Sequence, residues 1–136
     1  MVRRNLATES AISQCERIFN ALIDSFLTKY NVKRWLVSHS GGLDSQVLLH
    51  LISRYPANRP IVVVHVNHNL QEQADEWAKF SAQQAQLLGV KSEILEVQPL
   101  SRSEEGARDA RYHAFHTFML EGDCLLQGHH SDDQAE

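Results

Sequence analysis

The feature that most limits how this chain can fold is a run of mostly β-branched residues from Ile61 to Val66. The run shows no alternation of apolar and polar residues. A strand with one face in water alternates in this way, whereas a strand buried on both faces does not. Ile61 to Val66 is therefore predicted to be a central strand of a parallel sheet.

Helical and extended patterns alternate along the rest of the chain. Apolar residues three and four apart predict an amino-terminal helix between Ala11 and Tyr30, within a segment 1–30, and we expect it to cover one face of the sheet. The other predicted elements are strands at 35–37, 93–97 and 124–127, and helices around 47–52, at 75–88 before Gly89, and at 103–120 with Ser103 as cap. The aromatic residues predicted to lie in the core are Trp35, Trp77, Phe80 and Phe115. This order predicts an α/β fold, a Rossmann-like parallel sheet with helices on both faces.

Length and composition favour one domain spanning residues 1–136, because the chain has 136 residues and is 43% hydrophobic. The net charge of -4 shows no general basic excess, so any contact with RNA must be local. No secretory or membrane-spanning run is recognisable, and Cys15 and Cys124 are read as reduced thiols, which predicts a cytoplasmic protein. Residues 132–136 form a helical pattern that stops without a cap, so we expect the domain to be truncated at its C-terminus.

A glycine-rich loop, SHSGGLDS, joins a predicted strand to a predicted helix at residues 38–45. Helix amino termini present free backbone N–H groups to anions, and glycine lets the backbone approach them closely. The lysine of a Walker loop is missing, and the sequence matches the PP-loop pattern SGGxDS. Asp44 beside a phosphate predicts a bridging Mg²⁺, whereas in the alternative interpretation Asp44 and Ser45 only cap the helix.

A second polar block, GHHSDDQAE, follows the last predicted strand at residues 128–136. Asp133 and Glu136 are three residues apart and His129 lies one turn earlier, so a helix would place all three on one face. Histidine and carboxylate groups can bind zinc as well as support Mg²⁺ chemistry, and their spacing does not decide between these. His65, at a strand end, can be a structural residue or a ligand.

Together, SGGLDS and GHHSDDQAE resemble the paired signature of the tRNA(Ile)-lysidine synthetases, a PP-loop ATP pyrophosphatase family. Residues 65–70 and 107–112 are similar to two further segments of that family, so the resemblance spans residues 35–136. Asn69, Gln71 and Ser103 depart from residues that are common in the family.

The resemblance implies ATP-dependent addition of L-lysine to the wobble cytidine of tRNA(Ile) with a CAU anticodon, through an adenylated tRNA. The residues it implies for ATP binding are Ser40, Gly41, Gly42, Leu43, Asp44, Ser45 and His65. The implied catalytic residues are Asp44, Arg111, His129, Asp133 and Glu136, with Asp44 and Asp133 holding Mg²⁺ and Arg108 beside Arg111.

Three alternatives stay open from the sequence. Another PP-loop enzyme, such as a tRNA thiolase or an amide-forming synthetase, would keep the loop, and a non-catalytic ATP-binding module would not need the second block. A zinc hydrolase would use His129, His130 and Asp133. The sequence does not decide between a monomer and a homodimer.

Overall fold

The computed structural model describes residues 6–40, 42–56, 59–67, 74–98 and 103–128. The chain divides into two compact units, Met1–Val32 and Lys33–Glu136. The described part of the first unit is a helix, α1 (Leu6–Lys29), which confirms the predicted amino-terminal helix and begins earlier than its pattern suggested. The proposal that α1 covers the sheet, and that the whole chain is one domain, stays a prediction.

The second unit is a four-stranded parallel sheet with three helices, in the predicted alternating order. The elements are β1 (Arg34–Ser38), α2 (Leu43–Arg54), β2 (Ile61–Asn67), α3 (Ala74–Leu87), β3 (Lys91–Glu96), α4 (Glu104–Phe118) and β4 (Asp123–Gln127). The strand order is β3-β2-β1-β4, and every neighbouring pair is parallel. The predicted α/β class is therefore confirmed. No helix among the described residues is long and apolar enough to cross a membrane.

The helices lie on both faces of the sheet, as the uninterrupted apolar strand required. Successive side chains of a strand point to opposite faces. Phe115 of α4 packs against Leu36, Val62 and Val64, whereas the side chains of His39 and His65 contact α3. Val64 and His65 are adjacent in β2, and His39 lies three positions after Leu36, just past the end of β1, so α3 and α4 cover opposite faces.

Local signals placed most of the element ends correctly. Gly89 ends α3 with a φ of 71°, a conformation that residues with a Cβ rarely adopt. Ser103 caps α4, its side chain accepting a hydrogen bond from the Gly106 N–H at 3.1 Å. The predicted strands shift by one or two residues, because strand limits depend on pairing with neighbours rather than on the local pattern.

Two of the four predicted core aromatics do not lie in the core. Trp35 and Phe115 are buried, but the exposed fractions of Trp77 and Phe80 are 43% and 38%. The buried positions of α3 are small residues three and four apart, Ala78, Ser81 and Ala85. Small side chains let α3 approach the sheet closely. The helix is rotated so that this side faces the sheet, and the large aromatics Trp77 and Phe80 therefore point outward.

An ion pair joins β1 to β4 where both strands begin. Arg34 donates from Nε and Nη2 to the two carboxylate oxygens of Asp123, at 2.9 and 2.6 Å. The Leu120 N–H also donates to Asp123 at 2.8 Å. These bonds hold the pKa of Asp123 below its ordinary value, the side-chain bond from Arg34 contributing most. The pair fixes the edge of the sheet opposite to the glycine loop.

Candidate functional site

The glycine loop lies at the carboxyl end of β1 and leads directly into α2. The helix begins at Leu43 after Gly42 in an extended conformation, so its amino-terminal cap has no side chain of its own. Asp44 places a carboxylate in the first turn of α2, and both Leu43 and Asp44 are exposed. The positive end of the helix dipole and an exposed carboxylate therefore lie together at this edge of the sheet.

Ser40 and Ser45 close the loop around Gly42 through hydrogen bonds. The Ser40 N–H donates to Ser45 Oγ at 3.2 Å, and Ser45 Oγ donates to the Gly42 carbonyl at 3.0 Å. Ser40 Oγ accepts from the Gly42 N–H at 3.3 Å and lies 3.2 Å from Ser45 Oγ. Ser45 is buried, whereas Ser40 is exposed. Ser45 thus braces the loop from inside, and Ser40 is the serine of the pair that is exposed at its surface.

The carboxyl end of β4 reaches the same place. A Cβ added to Gly128 would lie 3.0 Å from the Asp44 carbonyl carbon and 3.1 Å from its oxygen. Such contacts are tighter than side chains normally make, so the lack of a side chain at residue 128 lets the strand end pass this close to α2. The first residue of the second polar block therefore touches the loop. His129, Asp133 and Glu136, like Gly41, lie outside the described residues.

His65 joins the loop through the end of β1. Its Nδ1 lies 2.7 Å from the carbonyl oxygen of His39, which can only accept, so Nδ1 carries the proton. His65 is buried at 5% exposure, and it pairs with Ile94 near the carboxyl end of β2. The structure thus places His65 beside the residue that precedes Ser40.

Arg111 lies on the sheet-facing side of α4. Arg111 lies one helical turn before the buried Phe115. It is therefore about 6 Å closer than Phe115 to the amino-terminal end of α4, which is the end that follows the carboxyl edge of β3. Its guanidinium carbon lies 5.5 Å from the centre of the Tyr112 ring. Its Nε is buried and has no hydrogen-bond partner within the described part of the chain. A buried N–H donor of this kind is stabilised by an anionic acceptor.

Sequence reasoning missed His39, which was part of the loop motif but received no role. Its ring is 1% exposed, with Nδ1 2.7 Å from Ser81 Oγ and Nε2 2.8 Å from Gln46 Oε1. The pKa of His39 is below its ordinary value because of burial in the first place, with the charge of His65 adding to the effect and the Gln46 bond opposing it. A polar residue immediately after an apolar strand was the available signal.

A separate cleft of about 980 Å³ lies between β3 and α4. Its walls include Leu95, Gly106 and Phe118, and none of the predicted ATP-binding residues that the structure describes lines it. Within the described residues, no group of three or more histidine, cysteine or acidic side chains is arranged to hold a metal ion. The loop, with the ends of β2 and β4, is the candidate site.

Comparison with known proteins agrees with this geometry. A family model described as a PP-loop domain matches residues 13–136. The chain is 48% identical over 108 residues to tRNA(Ile)-lysidine synthase of Alkalilimnicola ehrlichii, and 42% identical over 111 residues to that of Pseudomonas putida. The aligned parts cover 75% and 78% of this chain, and 24% and 26% of those proteins. The chain therefore spans about a quarter of the length of these curated relatives, and the predicted resemblance is confirmed.

A solved structure shows the same fold at lower sequence identity. The U34-tRNA thiolase NcsA from Methanococcus maripaludis, with its [4Fe-4S] cluster, superposes with a TM-score of 0.75 at 20% identity. The match covers 92% of this chain and 48% of the thiolase. The family match over most of the chain, on a fold with its glycine loop at the sheet edge, shows that this chain belongs to the PP-loop family.

Proposed function

We propose that this chain binds ATP with Mg²⁺ at the glycine loop and serves ATP-dependent addition of L-lysine to the wobble cytidine of tRNA(Ile). The observation that carries the proposal is the serine-braced, glycine-capped start of α2 in a chain whose relatives are tRNA(Ile)-lysidine synthases. Backbone N–H groups at a helix start bind phosphate oxygens, and the helix dipole favours their charge.

Asp44 fits a role in holding Mg²⁺. Mg²⁺ in nucleotide sites is bound by one or two carboxylates together with substrate phosphates. Asp44 supplies one exposed carboxylate in the first turn of α2, and Asp133 is proposed as the second. The bound ion would neutralise charge on the departing pyrophosphate.

The proposed reaction has two steps. The oxygen of the wobble cytidine attacks the α-phosphorus of ATP, and the bond to pyrophosphate breaks. The uncharged amine of lysine then attacks the activated ring carbon, AMP leaves with the oxygen, and the amine loses a proton. Arg111 is proposed to stabilise the phosphate in the first step, because its buried Nε needs an acceptor that an α-phosphate oxygen would provide. We also propose that His129 and Glu136 transfer protons and that Gly41 takes part in ATP binding by the loop.

Thiolation is the second candidate, since the structural neighbour is a tRNA thiolase. The chain has two cysteines, Cys15 and Cys124. Cys124 pairs with Trp35 near the start of β4, at the opposite end of the strand from Gly128, and burial raises the pKa of its thiol. A thiol that ionises less readily is a poor sulfur nucleophile. These features make Cys124 a poor candidate for sulfur transfer.

ATP binding is tested by titrating the chain with ATP in the presence of Mg²⁺ or of EDTA, with Asp44→Asn as the variant. With Mg²⁺, the variant is expected to bind about tenfold more weakly, because a metal ligand is lost. With EDTA, it is expected to bind at least as well as the wild type, because a carboxylate that repels phosphate has been removed. Glu121→Gln, an exposed substitution where β4 begins, is the matched control and should change neither value.

Weaker binding by Asp44→Asn in both conditions would contradict the metal role, and absence of ATP binding by the wild type would contradict the proposed function. The reaction is tested with [α-³²P]ATP and unmodified tRNA(Ile) on the longest form in which the protein is expressed. Label should enter tRNA without lysine and leave as AMP when lysine is added. Labelling of tRNA that lysine does not release would favour another PP-loop reaction.

A further inference from the structure

His39 connects four elements of the second unit through three polar groups. Its ring bonds Gln46 of α2 and Ser81 of α3, its N–H donates to the Val64 carbonyl at 2.9 Å, and its carbonyl oxygen accepts from His65 Nδ1. His39 itself follows β1 directly. Each ring nitrogen and each backbone polar group of this residue is thus used.

The direction of these hydrogen bonds is determined by their partners. Gln46 Nε2 donates to Gln84 Oε1 at 2.7 Å, which leaves Gln46 Oε1 to accept from His39 Nε2. In the uncharged ring, which burial favours, His39 Nδ1 then carries a lone pair and accepts from the Ser81 hydroxyl. The uncharged ring is therefore held as the tautomer with its proton on Nε2.

The same residue determines the state of the His65 ring. Because the His39 carbonyl accepts from Nδ1, an uncharged His65 carries its lone pair on Nε2. In their uncharged forms the two histidines therefore hold opposite tautomers, and only that of His65 leaves Nε2 as an acceptor at the carboxyl end of β2.

We propose that His39 is a positioning residue that holds the phosphate loop in its ligand-binding form by tying the first turns of α2 to α3 and by orienting the ring of His65. The inference rests on the proposed function, because it assigns His39 to the same ATP site. Gln46 lies two residues after Asp44 and one after Ser45, so its bond to His39 fixes the helix turn that carries both. His39 acts through these residues and does not itself reach the phosphates.

Two substitutions separate the bonds that the ring makes. The amide of glutamine reaches about as far as Nε2 of histidine, and the amide of asparagine reaches about as far as Nδ1. His39→Gln can therefore keep the bond to Gln46, whereas His39→Asn can keep only the bond to Ser81. His50→Gln, on the exposed side of the same helix α2, is the matched control.

The expected result is that His39→Asn binds MgATP about five- to tenfold more weakly, whereas His39→Gln and His50→Gln bind within about twofold of the wild type. Thermal unfolding of each variant is measured beside the affinity. Equal affinities for both His39 variants would overturn the proposal, and so would affinity losses that only follow the loss of melting temperature.

Nitrogen-15 NMR of the histidine side chains tests the tautomers without ATP. Wild-type His39 is expected to carry its proton on Nε2 and His65 on Nδ1, and the His65 tautomer is expected to persist in His39→Gln. The opposite tautomer at His39, or a mixture of tautomers at His65, would overturn the inference. If the wild type binds no ATP, the proposed function fails, while this measurement still tests the hydrogen bonds on which the role of His39 rests.

Discussion

Gly128→Ala is the most direct test of the contact between β4 and the glycine loop. The added Cβ would lie 3.0, 3.1 and 3.2 Å from the carbonyl carbon, carbonyl oxygen and Cβ of Asp44, where ordinary contacts are 3.4 Å or longer. The first turn of α2 would have to retreat by a few tenths of an ångström. Overpacking of this kind typically costs about 1–3 kcal/mol.

The cost should appear in ATP affinity more than in stability. Without ligand, the backbone at Asp44 can give by a few tenths of an ångström to relieve the new methyl group, but phosphate binding requires it to return. A cost of about 1.4 kcal/mol corresponds to a tenfold change in affinity, so MgATP should bind about tenfold more weakly. Isothermal titration calorimetry measures this, with thermal unfolding recorded for the same samples.

Gly89→Ala is the matched control for this substitution. A Cβ at Gly89 meets no atom within 4 Å, but the φ of 71° is unfavourable for alanine. This variant should lose about 1 kcal/mol of stability and keep its ATP affinity. An unchanged affinity in Gly128→Ala, or an equal loss in Gly89→Ala, would refute the assigned contact.

Two further predictions concern stability. Asp123→Asn should lower the free energy of unfolding by about 2 kcal/mol, because Arg34 loses its charged partner, and it should leave ATP affinity unchanged. Urea unfolding measures the stability, and an ATP titration measures the affinity. An unaltered urea midpoint would contradict the stabilising role of the ion pair. Burial lowers the pKa of His39, so the His39 ring takes up a proton less readily in the folded chain than in the unfolded chain. Its contribution to stability is complete above the unfolded pKa near 6.5 and is lost as the pH falls towards the folded pKa, by at most about 1.4 kcal/mol per pH unit. Urea unfolding at several pH values should show that the free energy of unfolding falls more steeply with decreasing pH for the wild type than for His39→Gln. Parallel curves for the two proteins would contradict this pH dependence of His39.

Much of the fold around the candidate site was predictable because its signals are local. The glycine loop, its position between a strand and a helix, and the serine cap of α4 each depend on residues close together in the chain. Local patterns could not show that Ser45 braces the loop while Ser40 stays exposed, because burial depends on what packs around each serine. Nor could they give His39 a role, because Ser81 is 42 residues away along the chain.

The sequence by itself determined the order of strands and helices, the parallel sheet and the residues of the glycine loop. These follow from the periodicity of apolar residues and from glycine and serine in a short motif, which act within a few residues. The tertiary structure decided that Trp77 points outward while Ala78 faces the sheet, that Gly128 touches Asp44, and that His39 Nε2 meets Gln46 while His65 Nδ1 meets the His39 carbonyl. Those outcomes depend on helix rotation and on contacts between distant residues, which pattern and spacing along one chain do not specify.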